Sequence, residues 1–531
     1  MINRVYHILA YVLALTATAW AQQPPQADIL IKGARIIDGT GNPWYVADIA
    51  VKDGIILAVG KNLPYQAAKT MTAHGLYAAP GFIDVHTHIE GDEQKAPDAK
   101  SFILDGVTSV ITGNCGSSVT HLGQYFAMLD SLRLSVNVGS LIGHNDVRRQ
   151  VMGTANRAPT PQEQLQMENL VAQAMQQGAV GLSTGLIYIP GAYAQTAEIT
   201  GLARQAARYG GIYATHMRSE ADQVMQAIEE ALTIGKEANI PVEISHFKVS
   251  GQNNWGRSSQ TLQMVKEARE QGMQVTIDQY PYTASSTSLS TLLPDWALSD
   301  GRDSIEARLL NPTIRKQIKS HMLAQLKKRR QKHFTYCQIA SYRADSTWNG
   351  KNIEEANLLL GRKHHADAEA ETIMDMMLKG GASMVFHGMS EADVKNIMQY
   401  PFNMFASDAS IRVFNSGVPH PRGYGTNARV LGKYVRQEKV ITLEEAIRRM
   451  TSLPAQTFGL QNRGLLRPGM AADLVVFDAN KVIDKATYEQ PHQYSEGFVH
   501  VFVNGQLVVD NGKHTGARPG VVLYGPGKEK P

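Results

Sequence analysis

Pro80-Gly81-Phe82-Ile83-Asp84-Val85-His86-Thr87-His88 is the stretch that decides the fold of this chain. A short apolar run, Gly81 to Val85, ends in two histidines one residue apart. Residues i and i+2 of a strand point to the same side, so two imidazoles at its end can share one metal ion. The C-terminal ends of parallel strands are also where β/α barrels place their active sites. Most isolated His-x-His pairs are incidental surface residues; this one directly follows an apolar strand.

Working outward, the middle of the chain alternates short apolar runs with amphipathic helices. The strand candidates are Gly81 to Val85, Val107 to Thr112, Val136 to Ile142, Ala179 to Ser183, Ile212 to Thr215, Val242 to Ser245, Gln274 to Asp278, Ser383 to Phe386 and Asn403 to Ala406. Helical periodicity fills Gln162 to Gln177, Ser219 to Ala238 and Ser258 to Gln271. Strand and helix in alternation imply a parallel sheet. A closed (β/α)8 TIM barrel needs eight strands, so one of the nine candidates is surplus; Gln274 to Asp278 and Ser383 to Phe386 are the weakest. Residues of about 290–350 lose the rhythm and carry Lys327-Lys328-Arg329-Arg330, which reads as an insertion with a solvated helix face.

The two ends of the chain differ from the middle. Ala27 to Ile37, Ala47 to Val51 and Ile55 to Val59 read as strands, as do Ala472 to Phe477, Val499 to Val503 and Gln506 to Val509, with Asn504-Gly505 as a hairpin turn. Together they predict one small β-sandwich domain built from residues 27–80 and 453–526, around a barrel over 81–452. Residues 1–21 read as a secretory signal: Arg4, an apolar stretch from Ile8 to Ala19, and Ala19-Trp20-Ala21 as a small-x-small cleavage site. The apolar stretch is too short to span a bilayer as a helix. The expected mature protein is exported, periplasmic or secreted, without stable membrane association. With 43% hydrophobic and 19% charged residues and a formal net charge of +4, the composition is that of a globular protein and gives nucleic-acid binding no support.

Further candidate chemistry sits at other strand ends. His216 ends the Ile212 run and His246 ends the Val242 run, 30 positions apart, about one strand-helix-strand unit. Each alone is more often a satisfied histidine than a ligand, but histidines at equivalent ends of parallel strands face one pocket. Asp408 follows the Asn403 run, as a metal ligand, a general base or a helix N-cap. Cys115 lies in Thr112-Gly113-Asn114-Cys115-Gly116. It reads as a soft zinc ligand, a disulfide partner of Cys337 or a catalytic thiol. The nearby histidines favour ligation, and Cys337 lies in the presumed insertion.

These residues match a family pattern. The chain resembles the amidohydrolase superfamily and, within it, the N-acyl-D-amino-acid deacylases. The resemblance spans nearly the whole mature chain and rests on Gly81 to His88, Gly113 to Gly116, Thr215-His216-Met217-Arg218-Ser219-Glu220, Ile244-Ser245-His246-Phe247-Lys248, Tyr280-Pro281-Tyr282, Ser407-Asp408 and His420-Pro421-Arg422-Gly423-Tyr424-Gly425-Thr426. The cysteine is the discriminating mark, because many relatives use a modified lysine between two metals. The resemblance implies a tight zinc site at Cys115, His216 and His246, and a weaker side at His86, His88 and Asp408. It makes Asp408 the general base and Arg422 the anchor of the substrate carboxylate. Lys248, Tyr280 and Ser286 correspond to substrate contacts, with Tyr282 as the alternative to Tyr280. The implied reaction is hydrolysis of an N-acyl-D-amino acid to a carboxylate and a free D-amino acid. Other readings are a dipeptidase, a cyclic amidase, a deaminase or a non-catalytic zinc-binding scaffold.

Overall fold

Eight short parallel strands close into a barrel: β1 (Phe82–Asp84), β2 (Val107–Thr112), β3 (Asn137–Ser140, continuing as Ile142–Gly143), β4 (Gly181–Gly185), β5 (Ile212–His216), β6 (Val242–Ile244), β7 (Val275–Gln279) and β8 (Asn403–Phe405). The structure is a computed structural model, and it describes residues 25–528; the export signal read over 1–21 lies outside them. Nearly every residue of these strands is buried, as a parallel sheet covered on both faces requires. Closure runs between β8 and β1. Asp408 donates its amide to the His86 carbonyl at 2.9 Å, and His88 donates to the Ala409 carbonyl at 2.9 Å. The buried Asp84 carboxylate accepts from the Ser407 amide at 3.1 Å.

Helices wrap the outside. Pro161–Gln177 shows the local logic: Thr160 and Glu163 form a reciprocal capping box, Pro161 sits in the first turn, and Gly178 ends the helix at φ +111°. The helix expected from Ser219 begins instead at Val224. Residues 219–223 form the loop that carries Glu220.

Ser383–His387 is the surplus strand candidate. It pairs antiparallel with Ala284–Ser288 and with Cys337–Ser341 in a separate three-stranded sheet. The insertion therefore extends well past the expected 290–350, from Ala284 to His387. Helices Arg302–Leu310, Pro312–Lys328, Ile353–Leu359 and Ala366–Leu378 complete it, around a core of its own that includes Leu289, Met322, Phe334, Ile339, Ile373 and Met384. The basic run lies at the solvated end of Pro312–Lys328, where cations complement the helix dipole.

Both chain ends join in one nine-stranded sheet. Leu474–Phe477 pairs antiparallel with Tyr77–Pro80, and the sheet curls so that Ile31, Ile49, Ile56, Leu474 and Phe502 share one core. Asn504 (φ +47°) and Gly505 (φ +76°) make the predicted hairpin turn. The stretch 453–526 is not all part of this domain. Leu453, Phe458, Leu460 and Leu523 pack with Ile83, Ile111, Val180 and Met404 inside the base of the barrel. These apolar side chains stop the end opposite to the strand C-termini. Among the described residues, no helix is long and apolar enough to cross a membrane.

Candidate metal centre

The strand ends bring five chain segments to one point. His216 is the last residue of β5; His86, Cys115, His246 and Asp408 follow β1, β2, β6 and β8 within three residues. Cys115 Sγ lies 3.3 Å from His86 Nε2, 3.6 Å from His216 Nδ1 and 3.6 Å from His246 Nε2. The last two nitrogens are 2.7 Å apart. On the other side, Asp408 Oδ1 lies 3.6 Å from His86 Nε2 and 3.3 Å from His88 Nε2. All are buried except His88, which is half-buried. The structure thus joins two triangles of donor atoms, Cys115–His216–His246 and His86–His88–Asp408, through the His86–Cys115 contact.

The backbone is bent hard to achieve this. Cys115 (φ +53°), His246 (φ +37°) and Asp408 (φ +50°) all occupy the left-handed region. Such conformations cost about 1–3 kcal/mol each for residues with a side chain and collect at functional sites. The cysteine loop needs its glycines. A Cβ on Gly113 would meet the Leu141 carbonyl oxygen at 2.2 Å, and one on Gly116 would meet Asn145 Oδ1 at 2.2 Å.

Two carboxylates not singled out in the sequence orient the rings. Asp278 Oδ2 contacts His86 Nδ1 at 3.1 Å, which turns Nε2 toward Cys115 and Asp408. Glu220 Oε1 contacts His246 Nδ1 at 2.8 Å, which turns Nε2 toward His216. A carboxylate on the far nitrogen is the usual support of a metal-binding histidine. Asp278 stood at the end of a weak strand candidate, and Glu220 closed the quoted Thr215 to Glu220 segment. Neither carries a local signal beyond its position.

Electrostatics point the same way. Burial alone would raise the Cys115 thiol, but His86 and hydrogen bonds from His216 and His246 outweigh it, holding it well below its usual range. Burial would likewise raise Asp408; Arg422 and His86, with a hydrogen bond from His88, hold it well below the usual carboxylate range. A buried thiolate and carboxylate among converging imidazole nitrogens make a donor set for a divalent cation. Cys115 and Cys337 are both free, so the disulfide reading falls. Cys337 is buried in the sheet of the insertion.

The expected substrate contacts divide. Arg422 is buried; its Nη1 lies 2.9 Å from Asp408 Oδ2, and its Nη2 donates to the Ser286 carbonyl at 3.4 Å. Among the described residues its Nε has no hydrogen-bond partner, nor has the buried Tyr280 hydroxyl. The Arg422 guanidinium lies 4.6 Å from the Tyr280 ring centre. Burial holds the Tyr280 phenol well above its usual range, so it stays protonated. Tyr282 instead packs against Arg429 and His420, which favours Tyr280 as the residue facing the centre. Lys248 is buried; its ammonium pairs with Glu220 and donates to the His246 carbonyl at 2.8 Å. Ser286 spends its hydroxyl proton on the Met384 carbonyl at 2.8 Å. A cavity of about 800 Å³ opens beside Glu220, walled by Leu186, Tyr188, Ile189, Leu292 and Phe386. A larger one, about 1120 Å³, lies at the barrel base and holds none of these groups.

The sequence pattern of the amidohydrolase family matches residues 69–300 and 332–509. The chain belongs to the amidohydrolase family, in its N-acyl-D-amino-acid deacylase branch. It is 37% identical over 525 residues to an N-acyl-D-aspartate deacylase of Alcaligenes xylosoxydans xylosoxydans, covering 94% of this chain and 95% of that one. The N-acyl-D-glutamate deacylase of Bordetella bronchiseptica, solved with zinc and a phosphonate mimic of the tetrahedral intermediate, superposes with a TM-score of 0.79 at 36% identity. That match covers 94% of this chain and all of that one. A D-aminoacylase studied for the role of its binuclear metal centre matches with a TM-score of 0.80 at 33% identity, over 94% of this chain and all of that one. This amidohydrolase is a metal-dependent hydrolase, and its cofactor is a divalent metal ion.

Proposed function

We propose that this amidohydrolase uses zinc to hydrolyse the amide bond of N-acyl-D-amino acids, releasing a carboxylate and a free D-amino acid. One observation carries the reading: a buried arginine with spare donors stands directly against the carboxylate of the donor cluster. Cys115, His216 and His246 would hold the principal ion, with His86, His88 and Asp408 as the weaker side. When bound, zinc supplies Lewis-acid polarisation and lowers the pKa of water toward neutrality.

The chain's own groups supply the rest. Asp408, kept ionised by Arg422 and His86, takes the proton of the attacking water and returns it to the departing amine. Arg422 Nε and the Tyr280 hydroxyl offer two free donors to the substrate carboxylate. An N-acyl amino acid carries its amide nitrogen and its carboxylate on the same carbon. The 2.9 Å contact between Arg422 and Asp408 supports this reading, because it sets a carboxylate anchor beside the proton carrier. Lys248 and Glu220 hold His246 from behind.

Stripping the metal with a chelator should abolish hydrolysis of an N-acetyl-D-amino acid, and zinc should restore it. Activity that survives complete metal removal contradicts the proposal. The composition of residues 1–21 supports a second part of it, action outside the cytoplasm after removal of the signal. Sequencing the N-terminus of the protein recovered from its producing cells checks this; an intact Met1 in the functional protein overturns it.

A further inference from the structure

A second group of ligating side chains lies in the insertion and shares no residue with the catalytic cluster. His333 leads into strand Cys337–Ser341. Glu354 lies in the first turn of helix Ile353–Leu359, His364 in the loop after it, and Glu369 in the first turn of helix Ala366–Leu378. One ligand atom from each falls within 4.8 Å of all the others. We propose that His333, Glu354, His364 and Glu369 form a second, structural site for a divalent transition-metal cation of the zinc type.

The contacts converge on one centre. Glu369 Oε1 approaches His333 Nδ1 at 2.5 Å, and Glu354 Oε1 lies 3.5 Å from the same nitrogen. The same Glu354 oxygen also contacts His364 Nε2. The two imidazoles are stacked, with ring centres 4.4 Å apart and planes 24° apart. Glu369 is fully buried, and its other oxygen accepts from the Phe334 amide at 2.7 Å. Two carboxylates and two neutral imidazoles balance a divalent charge. Histidine nitrogens and carboxylate oxygens are zinc ligands, and four of them suffice for a four-coordinate ion.

Such an ion would tie the approach to strand Cys337–Ser341, the helix of Glu354, the loop of His364 and the helix of Glu369 to one point. That insertion supplies walls of the 800 Å³ cavity, among them Leu292, Tyr336 and Phe386. The site would therefore brace the insertion while sharing no residue with the catalytic cluster.

The test uses the full-length protein, with His364→Ala and, separately, Glu354→Gln. His364 is the most exposed of the four, with 57% of its side chain accessible, so its loss should leave the fold intact. Zinc per chain is counted by plasma mass spectrometry after equilibration with micromolar free zinc, alongside kcat/KM and the zinc-dependent rise in Tm. The expected result is one zinc equivalent fewer in each variant than in the parent, a smaller zinc-dependent rise in Tm, and unchanged kcat/KM. Equal zinc content in parent and both variants overturns the proposal. Loss of zinc and activity together overturns it as well, since that would trace the missing ion to the catalytic centre.

Discussion

Replacing Arg422 with lysine separates its two tasks. Lysine keeps the positive charge beside Asp408, so the field that holds this carboxylate ionised survives. It loses the planar fork, whose Nε is free while Nη1 contacts Asp408 at 2.9 Å and Nη2 the Ser286 carbonyl. A substrate carboxylate that accepts one charge-assisted bond from the free Nε would lose it. Each such bond contributes about 1.5–3 kcal/mol, and each 1.4 kcal/mol is roughly tenfold. Arg422→Lys should therefore lower kcat/KM for an N-acetyl-D-amino acid by about 10- to 100-fold, largely through KM. The control substrate is the matching carboxamide, which has no carboxylate to lose. Initial rates over a substrate series for both compounds give the answer. The carboxamide rate should change little, shrinking the ratio between the two substrates. If the variant slows both equally, Arg422 works through Asp408 alone and the anchoring argument fails.

Asp408→Asn should lower kcat by roughly 10²- to 10⁴-fold while zinc stays bound at Cys115, His216 and His246; near-normal turnover with full metal content would remove Asp408 as the proton carrier. Asp278→Asn takes away the acceptor that orients His86 through its Nδ1 at 3.1 Å. Its affinity for the weaker-side ion, measured against a competing chelator, should fall about 10- to 100-fold, the usual effect of losing a ligand's supporting carboxylate. An unchanged affinity would mean that Asp278 serves only to hold the loops after β1 and β6 in place.

The parts of this protein that were legible in its sequence are those with local signals. Strand-end histidines announced themselves because an apolar run stops at them, and the pairing of the two chain ends followed from matching strand and turn patterns. The insertion was misjudged because its first strand, Ala284-Ser285-Ser286-Thr287-Ser288, is polar and short. Its partner, Ser383–His387, lies about a hundred residues away. Antiparallel pairing at that distance leaves no periodicity to read. The same holds for Asp278 and Glu220: a carboxylate behind a histidine looks like any other until the barrel closes. Arg422 gained a meaning that no spacing could give, because its contact with Asp408 joins the loop after β8 to the helix that begins at Arg422.

The most direct test of the account is kcat/KM of the zinc-loaded protein for matched N-acyl-D- and N-acyl-L-amino acids, run beside a dipeptide and a cyclic amide. The account predicts efficient hydrolysis of the N-acyl-D-amino acid, with the L enantiomer and the other two substrates far behind. Preference for the L enantiomer, the dipeptide or the cyclic amide, or bound zinc with no hydrolysis of any of them, would contradict it.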